Sequence, residues 1–177
     1  MDCIPISGRR EAFISGEVTF SSGRFIIGSP VDAIDVLSRT HSSTERGDVI
    51  PILDVDSFSR RYLNPDVVKD IRVKGRRVWL ISYIRSSDDV IDAMCGAFDR
   101  LCVPFHTVDS TDVLSEALEL SDCILPTIFV SKGHHIGEGE TSEIIATIYD
   151  LGYHEYAIFD VDRYTLDHHA LFMKDMN

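Results

Sequence analysis

Apolar runs of four to eight residues alternate along the chain with segments whose apolar residues recur every three or four positions. The run Val49 to Leu53 is the type case. It is β-branched except at Pro51 and Leu53, follows Gly47-Asp48, and ends in Asp54 and Asp56. A run this short and this apolar predicts a strand covered on both faces, as in a parallel sheet. Similar runs at Cys3 to Ile6, Val78 to Ile84, Leu101 to Phe105, Cys123 to Val130 and Tyr156 to Phe159 predict five more strands. Gly16 to Gly28 reads as a hairpin around Ser22-Gly23.

Helical periods fill the gaps. Ser29-Pro30 predicts a helix start, Ser as cap and Pro in the first turn, with Ile34 and Leu37 on the inner face. Asn64-Pro65-Asp66, Ser87-Asp88-Asp89 and Ser110-Thr111-Asp112 open three more helices, and Thr141 to Leu151 is a fifth that stops at Gly152. His41 to Arg46 reads as a polar loop, and Leu166 to Met173 as a last amphipathic piece. Strand and helix recur about every 20–25 residues, which predicts βαβ units around a parallel sheet. No linker divides residues 1–177, so one domain is expected. An open doubly wound sheet and a (β/α) barrel both satisfy this period.

A hydrophobic fraction of 44% in 177 residues is enough for a core. The net charge of −12 argues against nucleic acid and anionic membrane surfaces as partners. No apolar run approaches the roughly 20 residues of a membrane span. The start, MDCIPISGRR, lacks the features of a signal peptide. Cys3, Cys95, Cys102 and Cys123 are scattered without a C-x-x-C, as in a cytoplasmic protein with reduced thiols.

Chemistry is expected at strand ends. Asp54, Asp56, Asp160 and Asp162 form two D-x-D pairs, each at the carboxyl end of a strand. In extended backbone both acids of a pair face one side. Such acids can hold Mg²⁺, or share a proton with one raised pKa; they can equally cap helices and pair with Arg60, Arg61, Arg85 or Arg163. Arg9, Arg10 and Arg85 can bind phosphate or carboxylate. His106, at the end of the fourth strand, titrates near neutral pH. His134-His135 and His168-His169 lack clear metal-ligand spacing, so no metal ligands are assigned and no cofactor beyond a possible Mg²⁺ is expected. The glycine-rich Gly133 to Gly139 is either a lid or a plain connector.

The segments IP, SPVDAIDVL, IPILDVDSF, NPDVVKDI, VWLISYIRSSDDV, DRLCVPFHTV, LSEALEL, ILPTIFVSKG and EYAIFDVDR occur in this order, with a hairpin in the first loop. In that order the chain resembles the phosphoribosylformimino-5-aminoimidazole carboxamide ribotide isomerase family of histidine biosynthesis and its archaeal relatives, over about residues 3–165. The resemblance implies a (β/α)8 barrel, an anion role for Arg85 and Ser86 in the I-R-S segment, and catalytic carboxylates at the ends of the first and fifth strands. Here Ser7-Gly8 and Phe129 stand at those ends, and none of them exchanges protons near neutral pH. Ser82-Tyr83 and Pro104-Phe105 replace the glycines whose amides would cradle a phosphate.

With about six βα units, the expected fold is a truncated TIM-barrel-like α/β domain. Its open edges would be completed by a homo-oligomer, by a partner chain, or by the terminal segment from Leu166. The expected function is small-molecule binding or a subunit role without the family's isomerase reaction. The alternative is an enzyme, isomerase-like or lyase-like, acting on a phosphorylated sugar or related metabolite through Asp54, Asp56, Asp160 and His106, with Arg9, Arg85, Ser86 and Asp162 binding the ligand.

Overall fold

The computed structural model describes residues 1–9, 12–70, 73 and 75–171, without the side chains of Arg9, Ala12, His41, Pro65, Asp66 and Asp70. Its strands are β1 (Ile4–Arg9), β2 (Ala12–Ser21), β3 (Arg24–Asp32), β4 (Val49–Asp54), β5 (Arg77–Ile81), β6 (Arg100–Pro104), β7 (Ile124–Ser131), β8 (His134–His135), β9 (Glu155–Asp160) and β10 (Thr165–Ala170). Its helices are α1 (Ala33–Ser43), α2 (Val55–Arg60), α3 (Pro65–Asp70), α4 (Ser87–Ala93), α5 (Thr111–Leu120) and α6 (Thr141–Asp150).

All the described strands join one mixed sheet in the order β10-β9-β7-β6-β5-β4-β1-β2-β3, with β8 beside β7. From β1 through β4, β5, β6 and β7 to β9 the neighbours are parallel and follow chain order. β2, β3, β8 and β10 are antiparallel to their neighbours. The expected TIM-barrel-like fold is therefore corrected: this is an α/β sheet with two ends, β3 and β10, and among the described residues no ladder closes it. An isolated bridge, Asp2 to Thr165, brings residues 1–3 beside β10. The physical reason is β10. The terminal segment, expected as an amphipathic piece to Met173, alternates in period two over Thr165–Ala170 and pairs with β9. Residues 172–177 lie outside the described residues.

Alternation along each strand splits the interior into two layers. Ile52, Leu80, Leu101, Ile128 and Ile4 face one side, where Ala33, Val67, Val68, Val90, Ala93, Leu114, Ala117, Ile144 and Ile148 from the helices cover them. Leu53, Trp79, Ile81, Cys102, Leu125, Phe129, Ala157 and Phe159 face the other, which is filled by Phe25 from β3, Val55 and Phe58 from α2, and Leu166 from β10. This double cover is why the central strands read as unbroken apolar runs.

The hairpin stands as expected, and Ser22 and Gly23 both take positive φ, 52° and 74°, the mirror-image turn that suits strand twist. The helix expected at Ser29-Pro30 is not there: β3 continues through both, and Asp32 caps α1 by accepting from the Ile34 N–H at 2.8 Å. Pro30 sits in an end strand, where a missing N–H breaks no ladder. α1 in turn runs to Ser43, into the span expected as loop. At the start of α4, Ser86 and Asp89 form a reciprocal capping box. Among the described residues no helix is long and apolar enough to cross a membrane.

Candidate functional site at the carboxyl ends of β1, β4 and β5

Val55, expected as the middle of an extended D-x-D, instead begins α2. Asp54 is the cap of that helix, and its carboxylate accepts from the Ser57 N–H at 3.3 Å and the Ser82 hydroxyl at 3.1 Å. The Ser57 hydroxyl donates to the Asp54 carbonyl at 2.8 Å and accepts from the Tyr83 N–H at 2.9 Å. The turn into α2 sends Asp56 another way. Its two oxygens accept from the Ser7 hydroxyl at 2.7 Å and the Gly8 N–H at 2.6 Å. The tips of β1, β4 and β5 are thus sewn together by two carboxylates and three serines.

Asp54 is fully buried. Burial pushes its pKa up to about 7; the Ser57 and Ser82 hydrogen bonds oppose the rise, and the charge of nearby Asp56 adds to it. At neutral pH this carboxyl is therefore poised between its two protonation states. Asp56, half-buried between two fixed donors, is held as an acceptor.

The second D-x-D is likewise split by a turn, and it forms its own group. Asp160 ends β9 and accepts from the N–H groups of Asp162 and Arg163 at 2.9 and 3.1 Å. Asp162 accepts from the Ser131 hydroxyl and, at 2.6 Å, from the Lys132 N–H. Both D-x-D pairs lie at the carboxyl ends of parallel strands, but β5, β6 and β7 stand between β4 and β9. Asp56 is near enough to Asp54 for its charge to be felt but takes different partners, and the Asp162 N–H donates to Asp160. Among the described residues no hydrogen bond joins the two D-x-D pairs.

For Arg85 the sequence offers an anion role or pairing with Asp54 or Asp56. Arg85 points instead to Asp109, with N–O distances of 2.9 and 3.0 Å, a fully exposed pair that raises its pKa. Ser86 is engaged in the α4 cap. The backbone of Arg9 ends β1, while its side chain and all of Arg10 lie outside the described residues. His106 follows β6 and packs against Phe129, ring centroids 4.8 Å apart. Burial, helped by His135, lowers its pKa to about 4, so it is neutral at physiological pH, where the sequence predicted a group titrating near 7.

Aromatic rings fill the inner side of this rim. Phe25 reaches in from the hairpin and meets Phe58, Phe129, Phe159 and Tyr164 at centroid distances from 5.2 to 6.4 Å. Phe58 also packs on Tyr83. Sequence reasoning placed Phe129 here but missed Phe25, Ser7 and Ser57 as working parts. Ser57 had a signal, an Asp-x-x-Ser step before the apolar Phe58, which marks a capped helix start.

Among the described residues no three His, Cys, Asp or Glu side chains gather as a metal centre. Comparison with protein-family models and with curated proteins finds no match for this chain.

Proposed function

We propose that this chain is a non-catalytic relative of the histidine-pathway ribotide isomerases that binds a small metabolite, or acts as a subunit beside a second copy or another chain. The observation that carries the reading is the fate of the two positions where that family transfers protons. Ser7, on β1 just past its last pairing with β4, donates to Asp56, and Phe129 on β7 is buried against Phe25. A hydroxyl engaged by a carboxylate and a buried phenyl ring cannot serve as acid and base. What supports the kinship is the order of segments, with the hairpin after the first strand and the I-R-S after the third.

The test is a thermal-shift screen of phosphorylated sugars and related metabolites, with and without Mg²⁺, followed by turnover assays on every hit. A ligand that binds the native state raises the melting temperature. A hit that shifts melting and is recovered unchanged agrees with the reading; turnover by the chain alone overturns it.

A second reading, an isomerase-like or lyase-like enzyme, is favoured by one observation: Asp54 carries a pKa of about 7, the value suited to acid–base work at neutral pH. Its full burial means a substrate would reach it only after the residues that cover it move aside. Turnover that is lost in Asp54→Asn, with ligand binding kept, would establish this second reading.

A further inference from the structure

Away from the acids, the rim holds an unusual pair of histidines. His106 lies on the segment after β6, and His135 on β8, where the chain folds back along β7. Gly137 sits between them with a φ of +130°. A Cβ there would lie 2.8 Å from the His135 ring and 3.1 Å from the His106 Cβ, so glycine is what lets the two histidines share this space.

Three ring nitrogens in this cluster, His106 Nδ1 and His135 Nδ1 and Nε2, are buried without a hydrogen-bond partner among the described residues. A buried nitrogen without a partner costs about 1–3 kcal/mol, and native proteins rarely leave several together. The neighbouring backbone of Glu138 and Gly139 lies beside the His135 ring but short of hydrogen-bond geometry. The other wall is the Phe129 ring, which offers no partner.

We propose that His106 and His135 form a two-imidazole site for a borderline divalent transition ion such as Zn²⁺, Co²⁺ or Ni²⁺, with water in the remaining positions. Imidazole nitrogen suits these ions, whereas Mg²⁺ prefers oxygen. Ligation needs a neutral ring, and burial keeps His106 neutral down to about pH 4, so no proton competes for it at pH 7. One ligand comes from the β6 end and the other from the β7–β8 return, so a bound ion would clamp that return onto the rim.

The test is titration of the full-length chain with Zn²⁺ and Co²⁺ at pH 7.5, by calorimetry and Co²⁺ absorption. Histidine ring signals are followed in parallel by NMR. Expected is one equivalent bound, broadening by Co²⁺ of the His106 and His135 rings first, and at least a tenfold loss of affinity in H106Q and in H135Q. H154Q, which alters a histidine outside the cluster, is expected to bind as the unaltered chain does. The NMR readout on the unaltered chain decides the matter if a variant fails to fold. Binding unchanged in both variants, broadening confined to His134, His154 or His168, or rings that stay sharp with either ion would overturn the proposal.

Discussion

Replacing Asp54 by Asn should raise stability at neutral and alkaline pH, by an amount that grows up to about pH 7 and is then level. In the unfolded chain Asp54 titrates at its ordinary value, 3.8; in the folded chain it titrates at about 7 because it is fully buried. The folded state therefore holds the proton more tightly. The contribution of Asp54 to stability is complete below pH 4 and declines as pH rises, until the folded carboxyl ionises near 7. Each pH unit in that window costs about 1.4 kcal/mol, so the whole span is on the order of 4 kcal/mol. Asn keeps the oxygen that accepts from Ser57 and cannot ionise; its second N–H lacks a known partner, at a cost of about 1 kcal/mol at every pH. The stability advantage of Asp54→Asn should thus widen by about 3 kcal/mol between pH 5 and pH 7.5 and stay level above that. In a domain of this size that is a relative gain of roughly 6–12 °C in melting temperature. Urea unfolding of both proteins across pH 5–8.5 measures it, and other titrating groups cancel in the difference. A difference that is flat with pH, or that narrows toward pH 8, would refute the account of a desolvated carboxyl at the β4 tip.

His106 carries the opposite sign. Its folded pKa of about 4 lies below the ordinary 6.5, so its contribution is full above 6.5 and is lost as pH falls toward 4. H106Q should flatten the acid limb by up to about 3 kcal/mol in urea unfolding between pH 7 and pH 4. Phe25→Ala removes the ring at the centre of the inner aromatic cluster and should cost about 3–5 kcal/mol, read as a drop in urea midpoint at unchanged slope. Tyr153→Phe deletes a buried hydroxyl that donates to the Leu114 carbonyl at 2.7 Å between α5 and the end of α6; a loss of about 1–2 kcal/mol is expected by the same measurement.

The parallel core was legible because each central strand is apolar on both faces, and because helix starts such as Ser86 with Asp89 carry their signal within four residues. The failures share a cause, competition between local patterns that only tertiary pairing resolves. Ser29-Pro30 has helix-start chemistry, yet the pairing of Val31 and Asp32 with β2 holds the chain extended and hands the cap to Asp32. Leu166 to Met173 reads only as an amphipathic piece, and pairing with the edge of β9 makes Thr165–Ala170 a strand. For the site, the acids at strand tips were found, but D-x-D was read as extended backbone. Asp54 capping α2 turns the chain at Val55 and separates the two side chains. The bond from Ser7 to Asp56 spans 49 positions, and no local pattern announces it.

Chain order and spatial order coincide from β4 to β9, so each strand can dock on the one made just before it. The contacts of the first three residues are different. The Met1 amine donates to the Leu166 carbonyl, the Leu166 N–H to the Met1 carbonyl, and the Cys3 N–H to the Tyr164 carbonyl, a separation of 165 positions in the first case. Each of these bonds closes a loop of about 160 residues, an entropic cost that neighbouring-strand pairings do not bear, so in refolding they are expected to form late. Pulse-labelling hydrogen exchange should show the Cys3 and Leu166 amides gaining protection after those of Leu80 and Leu101. The seam between residues 1–3 and β10 is accordingly where native-state opening should start.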